Sequence, residues 1–289
     1  MTRKNYRKKK VKVFAIMGCF AIATTTIALA KTNDTKQAVT AQKNVLSKDA
    51  MMENKSSMLI EVWSDYLCPW CYIGESNLEN AIKELGINAS VVYKSFQSNP
   101  TLKGAFTVSE IAQQSGFSLA QAQEKARYIE KMAQASNVEL HMDKVIMANT
   151  LDAHRLAFMA KQRGFGKEVS KRLFEASYLE AKNIADANVL ANIGLEFGIE
   201  REETLKMLQT DQYKDEIQSE IKEGLNNGLQ GVPYFVINKK YSLSGAQPKE
   251  TFMNTFSEII EKDGSYTPLI NKSEAGYSCD ENGCYVPNN

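Results

Sequence analysis

Two hydrophobic periods alternate along this chain, and the places where one gives way to the other divide it into segments. The run Met58-Leu59-Ile60-Glu61-Val62-Trp63 is apolar and short, which predicts a buried strand, and Ser64-Asp65-Tyr66 breaks it. Leu78, Ala81, Ile82 and Leu85 then recur at helical spacing and Gly86 follows, the pattern of an amphipathic helix ended by a left-handed residue. Ala89-Ser90-Val91-Val92-Tyr93-Lys94-Ser95-Phe96 is rich in β-branched and aromatic residues and predicts a second strand. Strand, helix and strand at this spacing make a βαβ unit whose two strands are parallel and adjacent.

The period then becomes helical over residues 107–226. Thr107-x-x-Glu110 and Ser118-x-x-Gln121 fit capping boxes, and the second opens a face of Leu119, Ala122, Ala126, Ile129 and Ala133. Further helices are predicted over residues 151–163, 167–182, 187–197 and 211–225, with Gly164, Gly166 and Gly198 between them. Strand character returns at Tyr234-Phe235-Val236-Ile237, introduced by Gly231-Val232-Pro233, and Asn238-Lys239-Lys240 turns it into Tyr241-Ser242-Leu243-Ser244-Gly245. A last helix over 250–262 carries Phe252, Phe256, Ile259 and Ile260.

The ends change the picture of where the protein works. Residues 1–12 hold seven basic side chains and no acid, an apolar segment runs over 13–30, and it ends in Ala28-Leu29-Ala30, so 1–30 reads as a secretory signal cut after Ala30. Lipidation at Cys19, after Ile16-Met17-Gly18, and an uncleaved anchor over 13–30 are the two variants of that reading. Residues 31–57 are polar and read as a flexible linker. Of 35 Lys and Arg residues seven fall in the signal, leaving 28 against 34 Asp and Glu, a net charge of −6 for residues 31–289 with no basic patch for nucleic acid. The chain is 43% hydrophobic, enough for a full core, so its cysteines are free for chemistry.

The five cysteines are Cys19 in the signal, the pair Cys68 and Cys71, and the pair Cys279 and Cys284. In an exported protein close pairs imply disulfides. Cys68-Pro69-Trp70-Cys71 sits where strand hands over to helix, and a helix N-terminus favours a thiolate at its first thiol, Cys68, with Cys71 one turn on and facing inward. Pro69 suits the first helical position. Zinc would need two more ligands than this motif supplies, and neither histidine, His141 or His154, lies near it, so no metal or cofactor is expected. The last pair brackets Asp280-Glu281-Asn282-Gly283, whose Asn-Gly favours a tight turn, so the two thiols can close on each other as a weak staple.

Four motifs together carry a family likeness: Cys68-Pro69-Trp70-Cys71-Tyr72-Ile73-Gly74, Asn149-Thr150-Leu151-Asp152-Ala153-His154-Arg155-Leu156, Gly231-Val232-Pro233-Tyr234-Phe235 and Ser244-Gly245-Ala246-Gln247-Pro248. In this order they resemble the DsbA-like thiol-disulfide oxidoreductases, and most closely their FrnE-type branch. The resemblance implies an α/β, thioredoxin-like fold with a large helical insertion between its βαβ and ββα halves. Its parts would be a thioredoxin-like N-terminal half at 58–106, the insertion at 107–228, a C-terminal half at 229–263 and a tail at 264–289.

It also implies site roles. Cys68 attacks or is attacked at sulfur and Cys71 resolves the mixed disulfide. Pro233 is the cis proline facing them, which leaves the Val232 backbone to pair with an extended substrate. Glu61 stands for the family's buried acid that moves a proton at the second thiol. Pro69 and Trp70 tune the pair, and because DsbA carries a His there while this chain has no charge donor, a less acidified Cys68 and a weaker oxidant are expected. His154 would border the substrate groove, and Cys279 and Cys284 would exchange with the first pair as a relay. The expected partners are cysteine-containing exported proteins and a thiol redox partner, with membrane contact only through the signal or anchor. Kappa-class glutathione transferases and related isomerases resemble the same architecture but use a Ser where Cys68 stands. A chaperone-like binding protein is the reading in which the cysteines are incidental.

Overall fold

In the computed structural model the structure describes residues 57–262, 278–280 and 283–285. The signal expected over 1–30, and the linker over 31–57 but for its last residue, lie outside the described residues, as does most of the tail. Among the described residues no helix is long and apolar enough to cross a membrane.

The first strand, β1 (Met58–Ser64), leads into α1 (Pro69–Leu85) and β2 (Ala89–Ser95), and β1 pairs with β2 in parallel from Met58 opposite Ala89 to Ser64 opposite Ser95. Gly86 ends α1 with φ 59°, the left-handed stop expected of it. The insertion holds β3 (Ala105–Thr107), α2 (Val108–Gln114), α3 (Leu119–Ala135), β4 (Ile146–Ala148), α4 (Leu151–Lys161), α5 (Gly166–Tyr178), α6 (Ala187–Glu196), α7 (Arg201–Leu208) and α8 (Lys214–Asn226). Both capping boxes form, at Thr107 with Glu110 and at Ser118 with Gln121. Periodicity missed three of these elements. The antiparallel β3–β4 ribbon has strands of three residues, too short for a period, and α7 is polar enough to lack a strong apolar stripe.

The chain then returns as β5 (Tyr234–Ile237), β6 (Tyr241–Ser244) and α9 (Lys249–Glu261), completing a four-stranded sheet of order β2-β1-β5-β6. Asn238 and Lys239 both have positive φ, 51° and 56°, which matches a tight turn to the twist of the β5–β6 hairpin. Two further strands, β7 (Ser278–Asp280) and β8 (Gly283–Tyr285), form a separate hairpin that sets Cys279 opposite Cys284.

Alternation along β1 assigns the two faces of the sheet. Ile60 and Val62 pack with Leu78 and Ala81 of α1 and Phe252 and Phe256 of α9, while Trp63 joins the cluster that includes Leu156, Leu173 and Phe174 of the insertion. Helix α8 closes on that second face, where Trp63 Nε1 donates to the Glu220 carbonyl at 2.7 Å. The approach depends on Gly224, since a Cβ there would lie 2.6 Å from Trp63 Nε1.

Gly224→Ala therefore forces a fully buried tryptophan to shift. Overpacking of about 1–3 kcal/mol should outweigh the gain of roughly 1 kcal/mol in helix propensity, so denaturant unfolding is expected at a lower midpoint than in the natural chain. An unchanged or higher midpoint would refute this account of how α8 docks.

Candidate active site

The strand-to-helix turn decides where the dithiol sits. Cys68 is the N-cap of α1, in an extended conformation with φ −94° and ψ 106°, and Pro69 occupies the first turn, where its missing N–H is no loss. The turn is closed by Cys68 N–H donating to the Asp65 carbonyl and by Cys71 N–H donating to the Cys68 carbonyl, both at 3.0 Å. Both thiols are reduced and fully buried.

Across from them the Val232–Pro233 peptide is cis, as expected, and the Cys68 thiol donates to the Val232 carbonyl at 3.5 Å. Gly74 allows this closeness, because a Cβ there would sit 3.1 Å from Pro233 Cγ and 3.3 Å from the Ala246 backbone. The Val232 backbone, expected to stay free for a substrate, is instead engaged by the chain itself. Its N–H donates to the Cys279 carbonyl at 2.9 Å and its carbonyl accepts from the Cys279 N–H at 2.8 Å, an antiparallel bridge. Cys279 is disulfide-bonded and buried, in the same apolar cluster as Cys68 and Cys71. A disulfide-bonded cysteine thus pairs with the residue whose carbonyl the reduced Cys68 touches.

Asp65, which sequence reasoning passed over as part of a polar break, holds the turn in place. It is fully buried, its Oδ2 accepts from Ser98 N–H at 2.6 Å, and its own N–H donates to Cys71 Sγ at 3.5 Å. His154 Nε2 stands 3.4 Å from Asp65 Oδ1, close but not aligned for a hydrogen bond, and the Tyr66 ring lies over the imidazole at 4.6 Å between centroids. Burial alone would raise the Asp65 carboxyl, but His154, the Ser98 N–H and the Thr150 hydroxyl outweigh it and hold the carboxyl below its ordinary value. His154 is itself only 2% exposed, so it supports Asp65 and does not wall a substrate groove as expected. Its neighbour Arg155 is equally buried and donates to the carbonyls of Met207, Thr210 and Gln212, pinning the connection between α7 and α8.

Glu61, expected to serve the second thiol, has a lysine as its partner in the structure. Side chains alternate along β1, so Glu61 shares the Trp63 face, about 10 Å along the strand from Ser64. There it pairs with Lys94 at 2.7 Å, and Lys94 also pairs with Glu223 at 2.7 Å. A second buried carboxyl, Glu75, lies one helical turn beyond Cys71, and its Oε1 accepts from the Ser64 hydroxyl at 2.6 Å. Burial pushes Glu75 up to about 8. Burial also raises the Cys71 thiol, followed by its contact with Cys68, while the Asp65 N–H and the Ser64 hydroxyl pull the other way. Glu75 had a signal in the sequence, a carboxyl four residues after a catalytic cysteine on the inward stripe of a helix. Pro69 and Trp70 are buried at the start of α1, and Trp70 also borders a cleft of about 330 Å³ with Ile73, Met132, Ala246 and Pro248.

A strand-to-helix dithiol facing a cis proline on a β2-β1-β5-β6 sheet defines a DsbA-like thiol-disulfide oxidoreductase fold. The chain belongs to the family of the DSBA-like thioredoxin domain, which matches residues 59–257. It is 27% identical over 206 residues to the uncharacterized protein YwbO of Bacillus subtilis, covering 70% of this chain and 98% of that protein. A probable DsbA oxidoreductase from Streptomyces coelicolor superposes with a TM-score of 0.67 at 27% identity, over 80% of this chain and 100% of that one. A 2-hydroxychromene-2-carboxylate isomerase shares the fold at 12% identity and a TM-score of 0.54, over 71% and 97% of the two chains.

The two buried acids set opposite limbs of stability against pH. Asp65 is lowered below 3.8, so its contribution is complete above that value and is lost as pH falls through the lowered one. Glu75 is raised from 4.5 to about 8, so its contribution is complete below 4.5 and is lost as pH rises towards about 8. Denaturant unfolding of the protein with Cys68 and Cys71 reduced should show a decline across that upper window, and Glu75→Gln should flatten it. A decline of the same steepness in the variant would contradict this assignment.

Proposed function

We propose that the protein is an exported thiol-disulfide oxidoreductase that acts on cysteines of other exported proteins through Cys68 and Cys71, with Cys279 and Cys284 as an internal relay. The observation that carries this reading is the pairing of Cys279 with Val232 beside Cys68. An extended segment with an oxidised cysteine lies against the cis-proline residue as a substrate strand would. The Cys68 thiolate attacks the Cys279 sulfur, the bond from Cys279 to its partner breaks, and the partner leaves as thiolate. Cys71 then attacks Cys68, the new Cys68–Cys71 disulfide forms, and Cys279 leaves as thiolate. The two electrons pass from the first pair to the second, and the reverse sequence returns them. Tethering makes the exchange intramolecular and raises the effective concentration of the second pair.

Export is supported by the basic and apolar residues of 1–30. Cys68, where the resembling glutathione enzymes carry a Ser, supports exchange over conjugation. The chaperone-like reading differs in one respect that can be measured, since Cys68→Ala would leave it fully active.

The deciding experiment is an equilibrium redox titration against glutathione of the natural protein and of the Cys279→Ser, Cys284→Ser double variant. Two coupled transitions that collapse to one in the variant are expected, at a potential below that of the strong oxidants. In addition, Cys71→Ser should accumulate a Cys68–Cys279 disulfide, read by peptide mapping. A single transition at a strongly oxidising potential, unchanged in the double variant, would leave a dithiol oxidase with a stapled tail and overturn the relay.

A further inference from the structure

Cys68 and Cys71 are reduced in this structure while Cys279 is disulfide-bonded, and in that state the place of an outside strand is already taken. Val232 and Cys279 exchange both backbone hydrogen bonds, at 2.9 and 2.8 Å, and the Cys68 thiol lies on the same Val232 carbonyl at 3.5 Å. Neither Cys68 nor Cys71 has exposed surface. A sulfur so enclosed meets no sulfur of another protein until an element beside it moves.

The geometry of β7 makes it that element. Along an antiparallel ladder the backbone groups of successive residues point to opposite sides. Cys279 directs its N–H and carbonyl to Val232, so Ser278 with Tyr285 and Asp280 with Gly283 are the pairs that hydrogen-bond β7 to β8. Cys279 and Cys284 then face each other as a non-hydrogen-bonded pair, whose Cα atoms come to about 4.5 Å, within reach of a disulfide. Two strands of three residues are marginal in water by themselves, and a covalent bond between them removes freedom that they would otherwise regain. Among the described residues one bridge, Val232 with Cys279, joins the backbone of this hairpin to the rest of the fold, and the Cys279 side chain enters the core cluster.

We propose that β7 is a redox-gated strap over the active site. An oxidised second pair, Cys279 with Cys284, holds it on Val232 and shuts out other chains, and reduction of that pair releases it. The proposal rests on the thiol-exchange reading of both pairs.

The electrons that release the strap come from the first pair. The Cys68 thiolate attacks Cys279 and Cys284 leaves as thiolate, then Cys71 attacks Cys68 and Cys279 leaves as thiolate. Cys68 and Cys71 give their protons to water and the two leaving thiolates take protons from it, so the second pair becomes a dithiol with no cross-link. Release of the strap therefore coincides with conversion of Cys68 and Cys71 to a disulfide. The outside cysteines first admitted beside Val232 are reduced ones, because an oxidised Cys68 exchanges with a thiolate. A thiolate of the outside chain attacks Cys68 and Cys71 leaves, then a second thiolate of that chain attacks the first and Cys68 leaves. The outside chain departs with a disulfide, and its two electrons stay on Cys68 and Cys71. Before the release, reduced Cys68 lies under the strap and is kept from the disulfides of other proteins.

The test compares the full-length natural protein with the Cys279→Ser, Cys284→Ser double variant, both first oxidised with excess glutathione disulfide that is then removed. Amide hydrogen exchange at Val232, read by mass spectrometry, should be at least about tenfold faster in the variant, as loss of the two hydrogen bonds requires. Natural protein reduced with dithiothreitol should match the variant, and the amides between β1 and β5 should be unaltered in all three. A peptide with one free cysteine is then mixed with each oxidised protein, quenched in acid at early times and mapped. Its adduct at Cys68 should form at least about tenfold faster in the variant, whereas a tail that only stores electrons gives no such gain.

Equal exchange at Val232 in oxidised natural protein and in the variant, or equal rates of adduct formation, would overturn the strap. Should the variant fail to fold, equal exchange at Val232 in oxidised and reduced natural protein would overturn it as well. Absence of a Cys68 adduct from both proteins would instead overturn the thiol-exchange reading on which the proposal rests.

Discussion

The constraint on which the site depends is the enclosure of the Asp65 carboxyl. A charged group taken out of water is tolerated only if its oxygens are met by donors, and here the donors come from separate parts of the chain. Ser98 N–H belongs to the segment after β2, Leu67 N–H to the turn itself, and Thr150 to the start of α4 in the insertion, with His154 Nε2 3.4 Å away. The backbone of the same residue holds both cysteines, its carbonyl accepting from Cys68 N–H and its N–H donating to Cys71 Sγ. Satisfying one carboxyl therefore fixes the dithiol turn against the insertion. The helical block is part of the site's construction, since without α4 the charge beneath the cysteines would lose the partners that lower its pKa.

A second economy is found at Val232. One peptide group accepts from the Cys68 thiol and from the Cys279 N–H, while the N–H of the same residue donates to Cys279. Its neighbour Pro233 carries no N–H to compete, and Gly74 lets α1 approach to van der Waals contact. On the proposed reading, any outside strand must displace the chain's own β7 from this position. Access to Cys68, which is fully buried, is then governed by the same contact that brings the second cysteine pair within reach.

Much of this was legible in order and spacing. The short apolar run at residues 58–63 and the helical spacing at 78–85 placed Cys68 at a helix start, and the structure has it as the N-cap of α1. Thr107 and Ser118 opened their helices as capping boxes because that signal is local and chemical. The acids were harder to read. Glu61 stands in the apolar run of β1 and invited a role at the thiols, and the partner the structure gives it is Lys94. Asp65 and Glu75 looked like a loop residue and an ordinary helical carboxyl, because the neighbours that enclose them lie far away in sequence.

The sequence by itself determined the strand-helix-strand start, the helix start that carries Cys68 and the two cysteine pairs, because each rests on periodicity or on residue chemistry within a few positions. The class of fold and the cis proline facing the dithiol came from the likeness of four motifs to a known family. Only the tertiary structure decided which carboxyl serves which partner and that Cys279 occupies Val232. It likewise decided that His154 supports Asp65 and does not line a groove. These depend on which faces meet and how completely they exclude water, and pairs such as Asp65 with His154 or Val232 with Cys279 are brought together by the packing of separate elements and by no pattern along the chain.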